Sequence, residues 1–172
     1  VGEDAASPDS PAVVLFIPVP DGTLSEMTFT HASLLASCRQ LATRIPLGIQ
    51  ETLLSVLPPA DPLGLVTGTL LPLVSGVRVF IYPAPLHSRI VPEMAYGNNT
   101  AILFATDDLL TRYAEHAHPY DFQSLRYVFV DAREAAPAAA TRDMFLDASG
   151  EPVRTLSVNG ALAAAIPGLP AA

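Results

Sequence analysis

Hydrophobic and polar positions change rhythm several times along the chain, and each change marks an element. Residues 12–17 (AVVLFI) form an unbroken apolar run rich in β-branched side chains, the pattern of a strand buried on both faces. From His31 the rhythm becomes helical: Leu34, Leu35, Cys38, Leu41 and Ile45 fall at helix spacing, Thr30 can cap the start, and Pro46 stops it. A second strand is predicted over 52–57 (TLLSVL), ended by Pro58 and Pro59. Asp61 can cap a helix running to about Leu73, with Gly76 just past its end. Further strands are predicted at 77–82, 100–105 and 125–130. Between them lie a short helix over 89–97, stopped by Gly97, and a helix from Thr106 or Asp107 to about His116. After Asp131 the pattern weakens to a helix near 138–148, a short strand in PVRTLSV (152–158) and a Gly/Pro-containing tail.

Strands alternating with helices predict an α/β fold, a mostly parallel sheet of five to six strands with helices on both faces. The domain is expected over 12–158, with 1–11 as a linker and 159–172 as a linker or tail. Ligands of such sheets bind at the carboxyl ends of the strands, so the loops after Ile17, Leu57, Tyr82, Ala105 and Val130 are the ones to watch.

Charge narrows the chemistry. The 172 residues carry 9 basic and 17 acidic side chains, a formal net charge of −8, and every basic residue is an arginine. A lysine that cradles phosphates, forms a Schiff base or serves as a tuned base is therefore excluded. An acidic chain with no basic run is a poor partner for nucleic acid. Half of the residues are apolar, yet no run approaches the ~18–20 residues of a membrane span. A cytoplasmic location is expected, with any membrane tether supplied by other domains. Cys38 is the single cysteine, so no internal disulfide and no metal-binding cysteine pair can form; its place in the helical pattern predicts a buried thiol. The chain starts at Val1, and residues 1–11 lack the charged start and apolar centre of a signal peptide, as expected of a piece of a longer protein.

Individual polar residues read as structural. His31 begins a helix, where it caps or packs. His87 with Arg89 and Glu93 forms a surface cluster. His116 and His118 are two apart, on different helix faces, and make a poor metal pair. Asp107 and Asp108 suit a helix N-terminus, and Tyr120–Asp121 a turn. Ser25 near Asp21 lacks the Gly-x-Ser-x-Gly elbow of a hydrolase. No catalytic residue, metal ligand or cofactor follows from these patterns.

Longer stretches carry a resemblance. AVVLF, ten residues and MTFTHASLL resemble the core of the adenylate-forming acyl synthetases, in which a strand runs into a phosphate loop and then into Ser/Thr-His-x-x-Leu-Leu. FIYPAPLHSRIVPEMAY and AHPYDFQSLRYVFVDA are similar to the synthetase part of bifunctional acyl-acyl-carrier-protein synthetase/2-acylglycerophosphoethanolamine acyltransferases. The resemblance covers roughly residues 12–160 and implies the same α/β fold.

What it implies for chemistry is loss. The family's phosphate loop, Thr-Ser-Gly-Ser/Thr-(Glu/Thr)-Gly-x-Pro-Lys-Gly, falls on IPVPDGTLSE at 17–26. The degenerate loop positions are then Asp21, Gly22, Thr23 and Ser25, with Ser25 at the lysine, Glu26 at the last glycine, and only Gly22 kept. Pro18 and Pro20 stiffen the loop and remove amide donors. The family's Leu-Pro-Leu-Phe-His-x-x-Gly falls on LPPADPLG, so Ala60–Asp61 replace the aromatic-His pair while Gly64 remains. Gly-Ala-Glu falls on Asp131-Ala132-Arg133, and the threonine and magnesium-binding glutamate of the next motif fall near SVNGA with neither residue present. Candidate ligand-face positions are therefore His31, Asp61, Gly64, Asp131 and Arg133.

The resemblance thus implies a catalytically degenerate AMP-binding-like domain without cofactor, acting as an interaction or structural module of a larger acyl-transfer or phospholipid-remodelling protein. Its partners would be other domains of that protein or a second copy, met through exposed apolar surface. Two alternatives stand beside it: a fragment of an active acyl-CoA or acyl-carrier-protein synthetase completed by another chain, and a non-catalytic sensor of an acyl ligand.

Overall fold

The structure, a computed structural model, describes residues 7–19, 21–43, 45, 47–118, 120–131 and 154–157. Its centre is a five-stranded sheet in the order β4-β3-β5-β6-β7, with every neighbouring pair parallel. The strands are β3 (Thr52–Ser55), β4 (Arg78–Ile81), β5 (Ile102–Thr106), β6 (Tyr127–Asp131) and β7 (Arg154–Ser157). All four residues of β3 are buried, as are Ile102–Ala105 of β5, so the middle of the sheet is covered on both faces. Phe104 and Phe129 lie opposite each other in the β5–β6 register and stack with ring centroids 4.9 Å apart.

Helices supply the cover. After β3 the chain forms α2 (Pro62–Leu65), a π-helical turn (Val66–Leu70) and α3 (Leu71–Ser75) without interruption. Gly76 closes the run in the left-handed conformation (φ +69°), a region glycine enters without penalty. The expected single helix from Asp61 is present, but its wide central turn was not expected. Helix α4 (Ile90–Gly97) leads from β4 to β5, and α5 (Asp107–Ala114) follows β5. Gly97 ends α4 from inside, and the positive φ (+49°) falls on Asn99 instead. Right-handed connections put the helices of the outward step β3→β4 and of the return step β4→β5 on opposite faces of the sheet.

The first predicted strand is the main correction. Residues 12–17 do not enter the parallel sheet. They lie in β1 (Pro11–Pro18), which pairs antiparallel with β2 (Leu24–Thr30) in a separate two-stranded ribbon. Val13, Leu15 and Ile17 are partly covered, while Val14 (42%) and Phe16 (60%) are exposed. An apolar run does not reveal which of its faces will be covered; only the tertiary connections do.

Helix α1 (His31–Ala42) starts as predicted. The Thr30 hydroxyl accepts from the Ser33 amide at 3.1 Å, and the Ser33 hydroxyl accepts from the Thr30 amide at 3.0 Å. The helix buries Leu34, Ser37, Cys38 and Leu41, while Leu35 is exposed and Ile45 is buried beyond the helix end. Burial raises the Cys38 thiol above its ordinary range, as expected of an inert core cysteine. At the amino end of β3, buried Glu51 pairs with Arg126 at 2.7 Å, a bridge of 75 residues in sequence that no local pattern announces. The predicted helix near 138–148 and the tail at 159–172 lie outside the described residues.

Candidate functional site

A reversal of strand order creates a crevice. The chain steps outward from β3 to β4, returns over β3 to β5, and then continues to β6 and β7. The switch point therefore lies between β3 and β5, and in open α/β sheets ligands bind outside the carboxyl ends of the strands at that point. The loops there are 56–61, after β3, and the start of α5 at 107, after β5.

Both loops place a carboxylate at a helix start. Asp61 caps α2, its Oδ1 accepting from the amides of Leu63 at 2.8 Å and Gly64 at 3.3 Å. Gly64 is there for steric reasons: a Cβ at that position would come within 2.1 Å of the Pro58 carbonyl oxygen. The same holds one turn on, where a Cβ on Gly68 would lie 2.0 Å from the Ser55 hydroxyl oxygen. Thr106 caps α5, and behind it Asp107 has one carboxylate oxygen, Oδ1, buried without a hydrogen-bond partner. The sequence marks Asp107 only as a helix-start acid, and nothing in it signals the orphaned oxygen.

A third group stands at the carboxyl end of β4. The Tyr82 hydroxyl lies 2.5 Å from His87 Nδ1, and the buried Tyr113 hydroxyl donates to the Pro85 carbonyl at 2.8 Å, tying this loop to α5. Burial pushes the Tyr113 phenol well above its ordinary range. The expected surface cluster of His87, Arg89 and Glu93 is exposed, but its defining contact is with Tyr82.

The hairpin tip carries the remaining candidates. The stretch expected as a loop over 17–26 is mostly strand, because the ladder continues through Phe16↔Glu26, Ile17↔Ser25 and Pro18↔Leu24. Only a tight turn remains: Val19 N–H donates to Thr23 O at 3.0 Å, Gly22 N–H to Val19 O at 2.9 Å, and Gly22 takes φ +83°. Asp21 accepts from the Thr23 hydroxyl at 2.7 Å and the Thr23 amide at 2.9 Å. Those two bonds, the hydroxyl's first, hold the Asp21 carboxyl below its ordinary range. Ser25 is exposed on β2.

The structure does not gather all the candidates together. His31 opens α1 at the far end of β2, about 20 Å along an extended strand from Ser25. Its amide donates to Ser10 O at 3.4 Å and its side chain is exposed. Asp61 and Gly64 share one loop–helix junction, and Asp131 ends β6 at the same edge of the sheet. Arg133 lies outside the described residues. His116 and His118 are exposed after α5, and Asp121 accepts from the His118 amide at 2.7 Å in the expected turn. Among the described residues no group of three or more His, Cys, Asp or Glu side chains could hold a metal ion, and no helix is long and apolar enough to cross a membrane.

An open parallel sheet whose strand order reverses once, with helices between the strands, defines the class of open α/β domains. Within it, the sequence pattern of the AMP-binding enzyme family matches residues 27–154, and the chain belongs to that family. Among solved structures, the fold is similar to the fatty acid AMP ligase from Legionella pneumophila, with a TM-score of 0.70 and 14% identity over 82% of this chain and 26% of that one. It is likewise similar to the inhibitor-bound N-terminal domain of FACL13 from Mycobacterium tuberculosis, with a TM-score of 0.66 and 20% identity over 82% of this chain and 37% of that one. The chain thus spans well under half the length of either. Over 40 residues it is also 52% identical to the glutathione hydrolase proenzyme of Pseudomonas aeruginosa, covering 23% of this chain and 7% of that protein, a stretch too short to show shared ancestry of the domain.

Proposed function

We propose that this chain is a catalytically degenerate acyl-synthetase-like domain that serves as an interaction or structural module of a larger acyl-transfer or phospholipid-remodelling protein. The observation that carries the reading is the hairpin ladder running to Pro18↔Leu24. Where the resemblance places a phosphate-wrapping loop, paired strands commit the backbone, and the remaining turn spends its amides on itself. Charge adds to this. Asp21 and Glu26 stand on the hairpin, Asp61 and Asp107 at the switch point, and the chain holds no lysine. A triphosphate brought to these residues would meet carboxylates without an offsetting cation, so they do not fit the nucleotide's phosphates.

Isothermal titration of the chain with ATP, AMP and a non-hydrolysable acyl adenylate analogue tests the reading. No heat of binding at millimolar nucleotide is expected; micromolar affinity for ATP or AMP would overturn it. The family match supports a second reading, a synthetase fragment completed by another chain. Pyrophosphate exchange that appears only on adding such a chain would establish that one.

A further inference from the structure

The opposite edge of the sheet carries a feature that neither the resemblance nor the proposed function uses. Here the loop from α4 into β5 meets the loop from α5 into β6, on the side of the amino ends of the strands. Their meeting is held firmly. The Ser124 hydroxyl donates to Asn99 Oδ1 at 3.5 Å, Arg126 and Tyr127 amides donate to Ala101 O at 2.9 and 3.1 Å, and Phe122 and Leu125 are buried beneath. Above this floor opens a cleft of about 370 Å³ lined by Tyr96, His118, Tyr120, Asp121 and Gln123. That volume lies in the lower part of the range of small-ligand pockets, roughly 300–1,000 Å³.

The chemistry of the lining is specific in what it offers. Tyr96 and Tyr120 are 51% and 63% exposed, and among the described residues neither phenol hydroxyl nor the Gln123 side-chain amide has a hydrogen-bond partner. His118 and Tyr120 rings sit 5.2 Å apart at 33°. His118 Nδ1 faces the Tyr120 amide at 3.5 Å, which leaves Nε2 for a ligand. Asp121 spends Oδ2 on the His118 amide at 2.7 Å and keeps an acceptor in reserve.

Three ligand classes can be weighed on this inventory. An anion finds no arginine among the lining residues. A cation finds aromatic faces but a single carboxylate, and one oxygen of that carboxylate is already taken by the His118 amide. A neutral ring bearing hydroxyls matches the set: its C–H face stacks on tyrosine, and its hydroxyls both give and take hydrogen bonds. We propose that this cleft binds a neutral saccharide. The site stands apart from the switch-point crevice, so it does not depend on whether the domain has lost its adenylation chemistry.

Saturation-transfer NMR on the intact chain tests it, with glucose and maltose as probes and tetramethylammonium and inorganic phosphate as comparators. Saturation is expected on the sugar ring protons and not on the comparators. Tyr96→Ala and Tyr120→Ala should each lower sugar affinity tenfold or more, while Tyr120→Phe, which keeps the ring, should lower it only a few-fold. Both tyrosines are exposed, and unchanged circular dichroism of the variants separates lost binding from lost folding. Absence of sugar saturation, retention of it in both alanine variants, or preferential binding of tetramethylammonium would each overturn the proposal.

Discussion

The central strands β3 and β5 and the hairpin strand β1 are built from nearly the same kind of residue, yet they have opposite fates. TLLS and ILFA are buried at every position, whereas PAVVLFIP leaves Val14, Phe16 and Pro18 of its outer face in solvent. The difference lies in the connections. A parallel neighbour can be reached only through a crossover, and each crossover lays a helix on the sheet. The hairpin is closed by the turn at 19–23 and brings no helix with it. Burial here is a property of topology more than of the strand's own letters.

The comparison can be broken most forcefully by truncating one aromatic in each region. Phe104→Ala removes a ring that is 1% exposed and stacked on Phe129, and should destabilise the chain by about 3–5 kcal/mol in urea unfolding. Phe16→Ala should stay within about 0.5 kcal/mol of the parent. Equal losses would mean that the outer face of the ribbon is covered in solution.

A smaller effect is expected at the hairpin tip. Gly22 holds φ +83° with no atom within 4 Å of a built Cβ, so Gly22→Ala meets backbone strain and nothing else. That strain is about 1–2 kcal/mol. Because the ribbon is separate from the main sheet, hydrogen exchange should speed up roughly tenfold in β1 and β2 and stay unchanged in β3 and β5. Uniform acceleration would show that the two regions unfold as one unit.

The mildest perturbation is acid. Asp21 is held below its ordinary value of 3.8, so its bonds to Thr23 are intact above the unfolded range and are lost as pH falls through the lower folded value. The Thr23 amide resonance should therefore titrate with a midpoint below 3.8, and Asp21→Asn should abolish that transition. A midpoint at or above the ordinary value would remove the turn's hydrogen bonds from the account.

What was legible in the letters follows the range of the forces involved. The caps at Thr30, Asp61 and Thr106 could be read because capping is local and selects a few residue types. The parallel sheet could be read because strands and helices alternate at the required spacing. The placement of β1 could not, since an apolar run looks the same whether one face or two are covered. The candidate site was half legible for the same reason. Asp61 and Gly64 sit within one short segment, but Tyr113 reaches Pro85 across 28 residues, and the buried oxygen of Asp107 depends on packing that no local pattern records. The strand pairing within 17–26 was not legible, because the Ile17↔Ser25 register is set by the turn and not by the letters of either strand.

The wide turn at Val66–Leu70 has a consequence of its own. A regular helix advances 100° per residue, and a π turn takes up one residue more than an α turn before the next begins. It therefore resets the phase of everything after it. Leu71 and Pro72 come round to the buried side, Leu73 and Val74 are turned outward, and Gly68 meets Ser55 where a side chain would not fit. Any alignment that assumes an unbroken helical repeat through this segment will assign inside and outside wrongly for α3, and with them the surface on which partners are sought.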